Sequence, residues 1–290
     1  MIKEGLSRLG ILFLYLVSLL PFWFLYFISD ALFFLLYHVT RYRRKVVNEN
    51  LLNSFPEKTT QERAFIEKEY FKYLADLIVE TIKLITISEK EIRRRMHGAN
   101  PELMDYYYAQ GKSIIAATAH YGNWEMAAAR IGLQQSGKSI IVYKPLSNKI
   151  MDTFMNSVRS RFGTEMVAMK LIIRKLAAYK NENSISVFAA DQTPVKHETH
   201  YFTNFLNQPT AVFLGIEKLA QMGNQVVVFF RIDKIKRGYY VGTIVPLCEN
   251  PKETEPYQIT NLHVKYLEGM INEKPENWLW SHRRWKVKPD

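Results

Sequence analysis

From Gly10 to Val39 the chain reads GILFLYLVSLLPFWFLYFISDALFFLLYHV, in which Asp30 is the one clearly charged residue. An apolar run of about 18 residues or more is long enough to enter a bilayer. Bulky apolar side chains on every face leave no polar side to turn to water, so a buried amphipathic core helix fits poorly. A secretory leader has a shorter apolar core and small residues at its cleavage site, whereas Phe, Leu and Tyr continue here to Tyr37. Phe22, Trp23, Phe24, Tyr26 and Phe27 suit an interfacial aromatic belt. Four cations follow within Arg41-Tyr-Arg-Arg-Lys45, a flank that favours the cytoplasmic side and anionic headgroups. Pro21 and Asp30 leave three arrangements open: a single span, a re-entrant hairpin, or a helix lying in the interface. Residues 1–45 are expected to form a membrane anchor with a basic flank, and 46–290 the main domain.

The rest of the 290-residue chain can afford a sizeable core, since 48% of all residues are hydrophobic. A net charge of +11 points to anionic partners. The absence of zinc-finger spacing and of an RNP-like motif argues against nucleic acid. A single cysteine, Cys248, excludes an internal disulfide and favours a reducing compartment.

Asn48 to about Ile87 has helical spacing, with Phe65, Tyr70, Leu74, Leu77 and Ile78 on one apolar stripe. Thr59 with Glu62, and Ser88 with Glu91, read as helix-starting capping pairs. Together these make a helical lead-in over 46–110. From Gly111 the pattern alternates. Strands are expected at Ser113–Ala119, Ser139–Tyr143, Thr164–Ala168, Ser184–Ala190, Gln225–Asp233 and Tyr239–Val245. Helices are expected at Asn123–Gln135, Asn148–Phe162, Lys170–Lys180, Thr210–Met222 and Tyr257–Ile271, with a long polar loop before Thr210. Alternation of this kind predicts an α/β fold with a mostly parallel central sheet flanked by helices.

In such sheets, active sites gather at the carboxyl ends of strands. His120 occupies that position after the first core strand, in Ala119-His-Tyr-Gly-Asn-Trp-Glu125. Five residues apart on one helix, two side chains point about 140° away from each other. A strand end, a turn eased by Gly122 and a helix start capped by Asn123 bring His120 and Glu125 together instead. Glu125 would then fix the imidazole tautomer while the other ring nitrogen takes a proton, and amides at the helix start would stabilise an oxyanion. The plain alternative is a satisfied turn histidine beside a glutamate that complements the helix dipole.

His120-Tyr-Gly-Asn-Trp-Glu125 resembles the His-x4-Asp/Glu signature of glycerolipid-type acyltransferases. In its Gly-Asn-Trp-Glu form it is most similar to the bacterial lipid A biosynthesis late acyltransferases, the lauroyl and myristoyl transferases. Further segments resemble that family in order: Val142-Tyr-Lys-Pro145, Arg159-Ser-Arg-Phe-Gly163, Ala190-Asp-Gln192, Asn207-Gln-Pro-Thr210 and Trp280-Ser-His-Arg-Arg284. The resemblance covers nearly the whole chain. It implies acyl transfer from acyl carrier protein to a hydroxyl of a lipid acceptor at the cytoplasmic face of the bacterial inner membrane. His120 is then the general base and Glu125 its partner. No resident cofactor is implied, because the acyl-carrier thioester is the donor substrate, and no enzyme nucleophile is needed. The absence of a Gly-x-Ser-x-Gly elbow agrees with this.

Candidate substrate contacts are Gly122, Asn123, Lys144, Arg159, Arg161, Asp191 and Gln192. Lys144 stands where many relatives would carry arginine, and lysine keeps the charge but loses the bidentate fork. Arg159 and Arg161 are placed either to grip phosphate or to complement a helix C-terminus. His197, Glu198 and His200 miss the His-Glu-x-x-His spacing, so no metal is expected. Arg283 and Arg284 read as headgroup contacts or a solvated tail. Three other functions share these features: a glycerophospholipid or lysophospholipid acyltransferase, a non-catalytic lipid-binding relative, and a hydrolase.

Overall fold

A computed structural model describes residues 2–134, 136–194 and 201–289. Two helices open the chain, α1 (Ile2–Leu19) and α2 (Phe22–Phe34), the second continued by one π-helical turn over Leu35–Val39. The break between them falls where Pro21 withholds an amide from the helix ladder. Both helices lie against α4 (Thr60–Lys83). Lys83 Nζ donates to the carbonyls of Ser18 and Leu20 at 2.8 and 2.9 Å, so the carbonyl end of α1 is satisfied by a cation. From α2, Tyr26 donates to Glu80 at 3.0 Å and Ser29 to Asp76 at 2.8 Å, while Asp30 accepts from Arg237. Phe22–Val39 is the one helical stretch among the described residues that is long and apolar enough to cross a membrane.

Local signals explain the lead-in. Thr59 accepts from the Glu62 amide while the Glu62 carboxylate accepts from the Thr59 amide, a closed capping box that starts α4. Ser88 caps α5 (Glu89–Arg95) in the same way through the Glu91 amide. Helix α3 (Arg44–Ser54) is tied to α4 by a two-pronged Arg44–Glu67 pair.

A seven-stranded sheet follows, in the order β1-β9-β8-β2-β5-β3-β4. Its strands are β1 (Met96–Gly98), β2 (Ile114–Thr118), β3 (Lys138–Tyr143), β4 (Glu165–Ala168), β5 (Ser184–Ala189), β8 (Val226–Lys236) and β9 (Tyr239–Cys248). All neighbours are parallel except the β8–β9 hairpin. Helices α6 (Glu102–Ala109), α7 (Trp124–Gly132), α8 (Lys149–Ser160), α9 (Ile172–Ala178), α10 (Gly215–Gly223) and α11 (Gln258–Glu273) complete the layers. Strand β2 is buried on both faces: Ile115 and Ala117 pack into one core cluster, Ile114 and Ala116 into the other. That two-sided burial is why it reads as an unbroken apolar run.

The expected helix at Thr210–Met222 needs correcting at its start, because Thr210 lies in a strand and α10 begins at Gly215. The preceding polar segment contains an antiparallel hairpin, β6 (Phe202–Phe205) and β7 (Gln208–Ala211). Its two-residue turn, Leu206-Asn207, has positive φ at both positions, the geometry that matches strand twist.

Candidate active site

Register decides what meets His120. Thr118 of β2 pairs with Ala189 of the adjacent parallel strand β5, so the residue two beyond each strand, His120 and Asp191, face one another. The His120 ring Nδ1 lies 2.7 Å from Asp191 Oδ1, and the His120 amide donates to Oδ2 at 3.0 Å. Trp278 Nε1 donates to the same Oδ2 at 2.8 Å. With Nδ1 donating to a carboxylate, Nε2 carries the lone pair. The Gln192 side-chain nitrogen sits 3.3 Å from it, and Trp124 packs edge-on against the ring at 5.0 Å between centroids. About a fifth of the His120 side chain (21%) stays exposed, against 2% for Asp191.

Electrostatics follow from this geometry. Burial alone would push the His120 imidazole down, but the charge and hydrogen bond of Asp191 outweigh it. Glu125 adds to the rise and Arg159 opposes it, and the group ends above its ordinary value. Asp191 is held down at about 2: burial works against the carboxylate, and His120 and Trp278 overcome it.

The expected His120–Glu125 hydrogen bond is therefore corrected. Glu125 does follow in the first turn of α7, but both its oxygens are taken by Arg159 of α8, with Arg159 Nε at 2.8 Å and Nη2 closing the fork. A guanidinium satisfies two carboxylate oxygens at once, which an imidazole cannot. Asp191 holds the ring instead.

Gly122 and Asn123 are buried and build the turn. Asn123 is fully buried, caps α7 by accepting from the Met126 amide at 2.8 Å, and donates to Glu80 at 2.6 Å. The Gly122 amide donates to Asn277 and its carbonyl accepts from Tyr73. Gly122 sits at φ 61°, where an added Cβ would lie 2.8 Å from Ile232 Cγ2, so only glycine fits. With the Gly122 and Met126 amides committed, fewer donors remain for an oxyanion than the helix start promised. Arg161 is exposed and donates to the Leu84 and Ile87 carbonyls just past the end of α4. Gln192 and Lys144 are exposed, Gln192 beside the imidazole and Lys144 just past β3 on the same edge of the sheet. His197, Glu198 and His200 lie outside the described residues, and among those described no cluster of three or more His, Cys, Asp or Glu is placed to hold a metal.

The C-terminal tail is the part that sequence reasoning missed. Trp278 bonds Asp191, Leu279 donates its amide to the His120 carbonyl, and His282 Nε2 accepts from the Thr193 amide. Arg283 is exposed, but Arg284 is buried, which overturns its reading as a headgroup contact or solvated tail. Three tryptophans within Trp278–Trp285 were the available signal, since such a run in a tail marks chain that packs.

Residues 1–287 match the model of a protein family described as bacterial lipid A biosynthesis acyltransferase. The chain belongs to that family. It is 27% identical over 290 residues to the lipid A biosynthesis lauroyltransferase of Escherichia coli (strain K12), covering 99% of this chain and 94% of the relative. It is 24% identical over 274 residues to a lipid A biosynthesis acyltransferase of Haemophilus influenzae, covering 94% and 85%. The lipid A biosynthesis myristoyltransferase of Escherichia coli (strain K12) is 21% identical over 240 residues, covering 82% and 73%. In this lipid A acyltransferase family member, the His-Tyr-Gly-Asn-Trp-Glu segment runs from the imidazole held by Asp191 to the carboxylate held by Arg159.

Proposed function

We propose that the protein transfers a fatty acyl group from acyl carrier protein to a hydroxyl of a membrane lipid, most simply a lipid A precursor or a related saccharolipid. His120 Nε2 takes the hydroxyl proton, and the oxygen attacks the thioester carbonyl carbon. The tetrahedral intermediate collapses with cleavage of the C–S bond, and the imidazolium returns its proton to the departing thiolate. Asp191 fixes the tautomer and stabilises the imidazolium. Glu125 contributes by holding Arg159 beside the ring, a fixed cation for the oxyanion. The chain thus uses a His–Asp pair with a Glu–Arg pair alongside it. The observation that carries this reading is the imidazole itself, with Nδ1 tied to a buried carboxylate and Nε2 at the open strand edge.

The setting supports a lipid substrate. Leu9, Phe13, Leu16, Trp23 and Phe27 of α1 and α2 are more than half exposed. Such a surface is at home in a bilayer, here assigned to the cytoplasmic face of the inner membrane. The basic balance suits an acidic carrier and an anionic surface.

The test is mass spectrometry of products formed by detergent-solubilised protein given acyl-carrier thioester and a lipid A precursor. One added acyl mass, lost in His120→Ala, is expected. Acylation of a lysophospholipid in preference would move the acceptor to the glycerophospholipids. Free fatty acid without acylated lipid would make the protein a hydrolase. Product at the wild-type rate from folded His120→Ala would remove the general base, and with it this mechanism.

A further inference from the structure

Arg284 is buried, at 3% exposure, and among the described residues its side chain makes one hydrogen bond, from Nη2 to the Ala211 carbonyl at 2.7 Å. Its Nε and Nη1 are also buried, and neither has a hydrogen-bond partner among the described residues. A buried guanidinium left like this is costly unless a counter-charge lies within reach. Among the described residues, the acid whose charge bears on Arg284 is Asp191.

Both residues line one small cavity behind the imidazole, with Thr118, Phe205 and His263 also in its wall. His263 Nε2 is a third buried polar atom in this wall without a partner among the described residues. The cavity offers a water molecule about 10 Å³, on the order of what a single water needs. Asp191 already supplies the anion, so a neutral bridge suits the space. The backbone around Arg284 is fixed: its carbonyl accepts from Thr193 Oγ1 at 2.6 Å, and the next residue, Trp285, donates to Thr210 at 2.7 Å.

We propose that Arg284, reaching Asp191 through one bridging water in this cavity, is a positioning residue that biases His120 toward the neutral imidazole. The charge balance gives the reason. Asp191 from the end of β5, Glu125 from α7, Arg159 from α8, and His282 and Arg284 from the tail bear on the site, with His263 of α11 on the far side of the cavity. Glu125 and Arg159 pull His120 in opposite directions and form a pair of zero net charge. What remains is Asp191 against Arg284, neutral together when His120 is neutral and net cationic when it is protonated. A buried site resists that net charge. Arg284 therefore opposes the pull of Asp191 on the proton and leaves Nε2 available as a base.

Only the kinetic consequence rests on the proposed acyl transfer; the titration does not. Histidine-labelled full-length protein in detergent micelles is titrated by NMR, with the His120 signal assigned by its loss in His120→Gln. Arg284→Gln is expected to move the His120 midpoint upward by about one pH unit, and Arg284→Lys to leave it near the wild-type value. Arg284→Met, which keeps an apolar stem without the charge, serves if the glutamine variant melts early. A midpoint unmoved in a folded, uncharged variant overturns the proposal, as does an equal shift in Arg284→Lys. A role confined to anchoring the tail at Ala211 would lower the melting temperature without moving the midpoint. If the midpoint moves while no variant or wild-type protein acylates a lipid, the proposed function fails and the Arg284 assignment stands.

Discussion

The N-terminal helices and the carboxyl edge of the sheet are built inside out relative to each other. At the sheet edge, apolar strand residues lie inside and polar groups such as Gln192 and Lys144 face outward. On α2, Ser29 and Tyr26 turn inward to carboxylates of α4, while Trp23 and Phe27 point out at 72% and 68% exposure. One region presents polar groups outward and the other apolar ones. The two arrangements share a scaffold, since buried Glu80 of α4 accepts from Tyr26 of α2 on one side and from Asn123, the cap of α7, on the other. The chemistry is thereby held at a fixed place relative to the apolar surface.

The largest expected effect lies on the site side. Asp191→Asn keeps the shape but can present an amide to Nδ1, freeing the wrong tautomer. Acyl transfer should fall by about 10²–10⁴-fold, and the melting temperature should fall with it, because buried Arg284 loses its counter-charge. Glu125→Gln should cost less, because Arg159 keeps one acceptor. Steady-state rates for the two folded variants decide the matter. A greater loss in Glu125→Gln would return the orienting task to Glu125.

The comparison is sharpened by a pair of substitutions on α2. Leu25 is completely buried, so Leu25→Ala should destabilise the protein by about 2–5 kcal/mol, read as a lowered denaturation midpoint in detergent. Trp23→Ser should change stability by less than about 0.5 kcal/mol, yet weaken binding to anionic vesicles in flotation. If Trp23→Ser destabilises and Leu25→Ala does not, the assignment of inner and outer faces is reversed.

What the sequence disclosed tracks the range of the interaction. The capping pairs Thr59–Glu62 and Ser88–Glu91 and the Asn123 cap are contacts across three residues, and all form as expected. The apolar run of β2 was legible because burial on both faces leaves no polar position. His120 and Asp191 were each visible at a strand end, but their pairing spans 71 residues and depends on β2 lying beside β5. Strand order leaves no local mark, so the nearer carboxylate, Glu125, was the natural choice. The β6–β7 hairpin was hidden for a different reason: Leu206 occupies a positive-φ turn position that glycine or asparagine usually signals. Arg284 was read as exposed because an arginine next to an arginine usually is.

Acid should loosen the core behind the site by a somewhat smaller amount. Burial pushes His263 down to about 4. Its folded value lies below the unfolded value, so its contribution is intact above about 6.5 and is lost as pH falls from there toward 4. His120, raised by Asp191, runs the other way: its contribution is present at low pH and fades as pH rises through its folded value. The His263 part is isolated by comparing urea midpoints of wild type and His263→Phe at pH 7 and pH 5. The variant should lose about 2 kcal/mol less over that interval. Equal losses would mean that His263 is not buried as a neutral ring.

The smallest expected effect probes how α2 is seated. Asp30 is 67% exposed and pairs with Arg237 at 2.6 Å, while Arg237 also holds the buried Asp76 at 2.7 Å. Asp30→Asn removes the exposed half of this arrangement and leaves the Arg237–Asp76 pair intact. An exposed ion pair is worth about 0.2–1 kcal/mol, so a loss of that size in detergent is expected, diminishing as salt is raised. The sign of the result discriminates between seatings of α2. Where α2 rests on the domain with Asp30 at the wet margin, losing the charge costs stability. Where the Phe22–Val39 stretch crosses the bilayer, an aspartate within it is a burden, and Asp30→Asn would strengthen membrane retention against alkaline extraction. The bond from Arg237 to Asp30 favours the first outcome, and a strengthened retention would separate α2 from the face of α4.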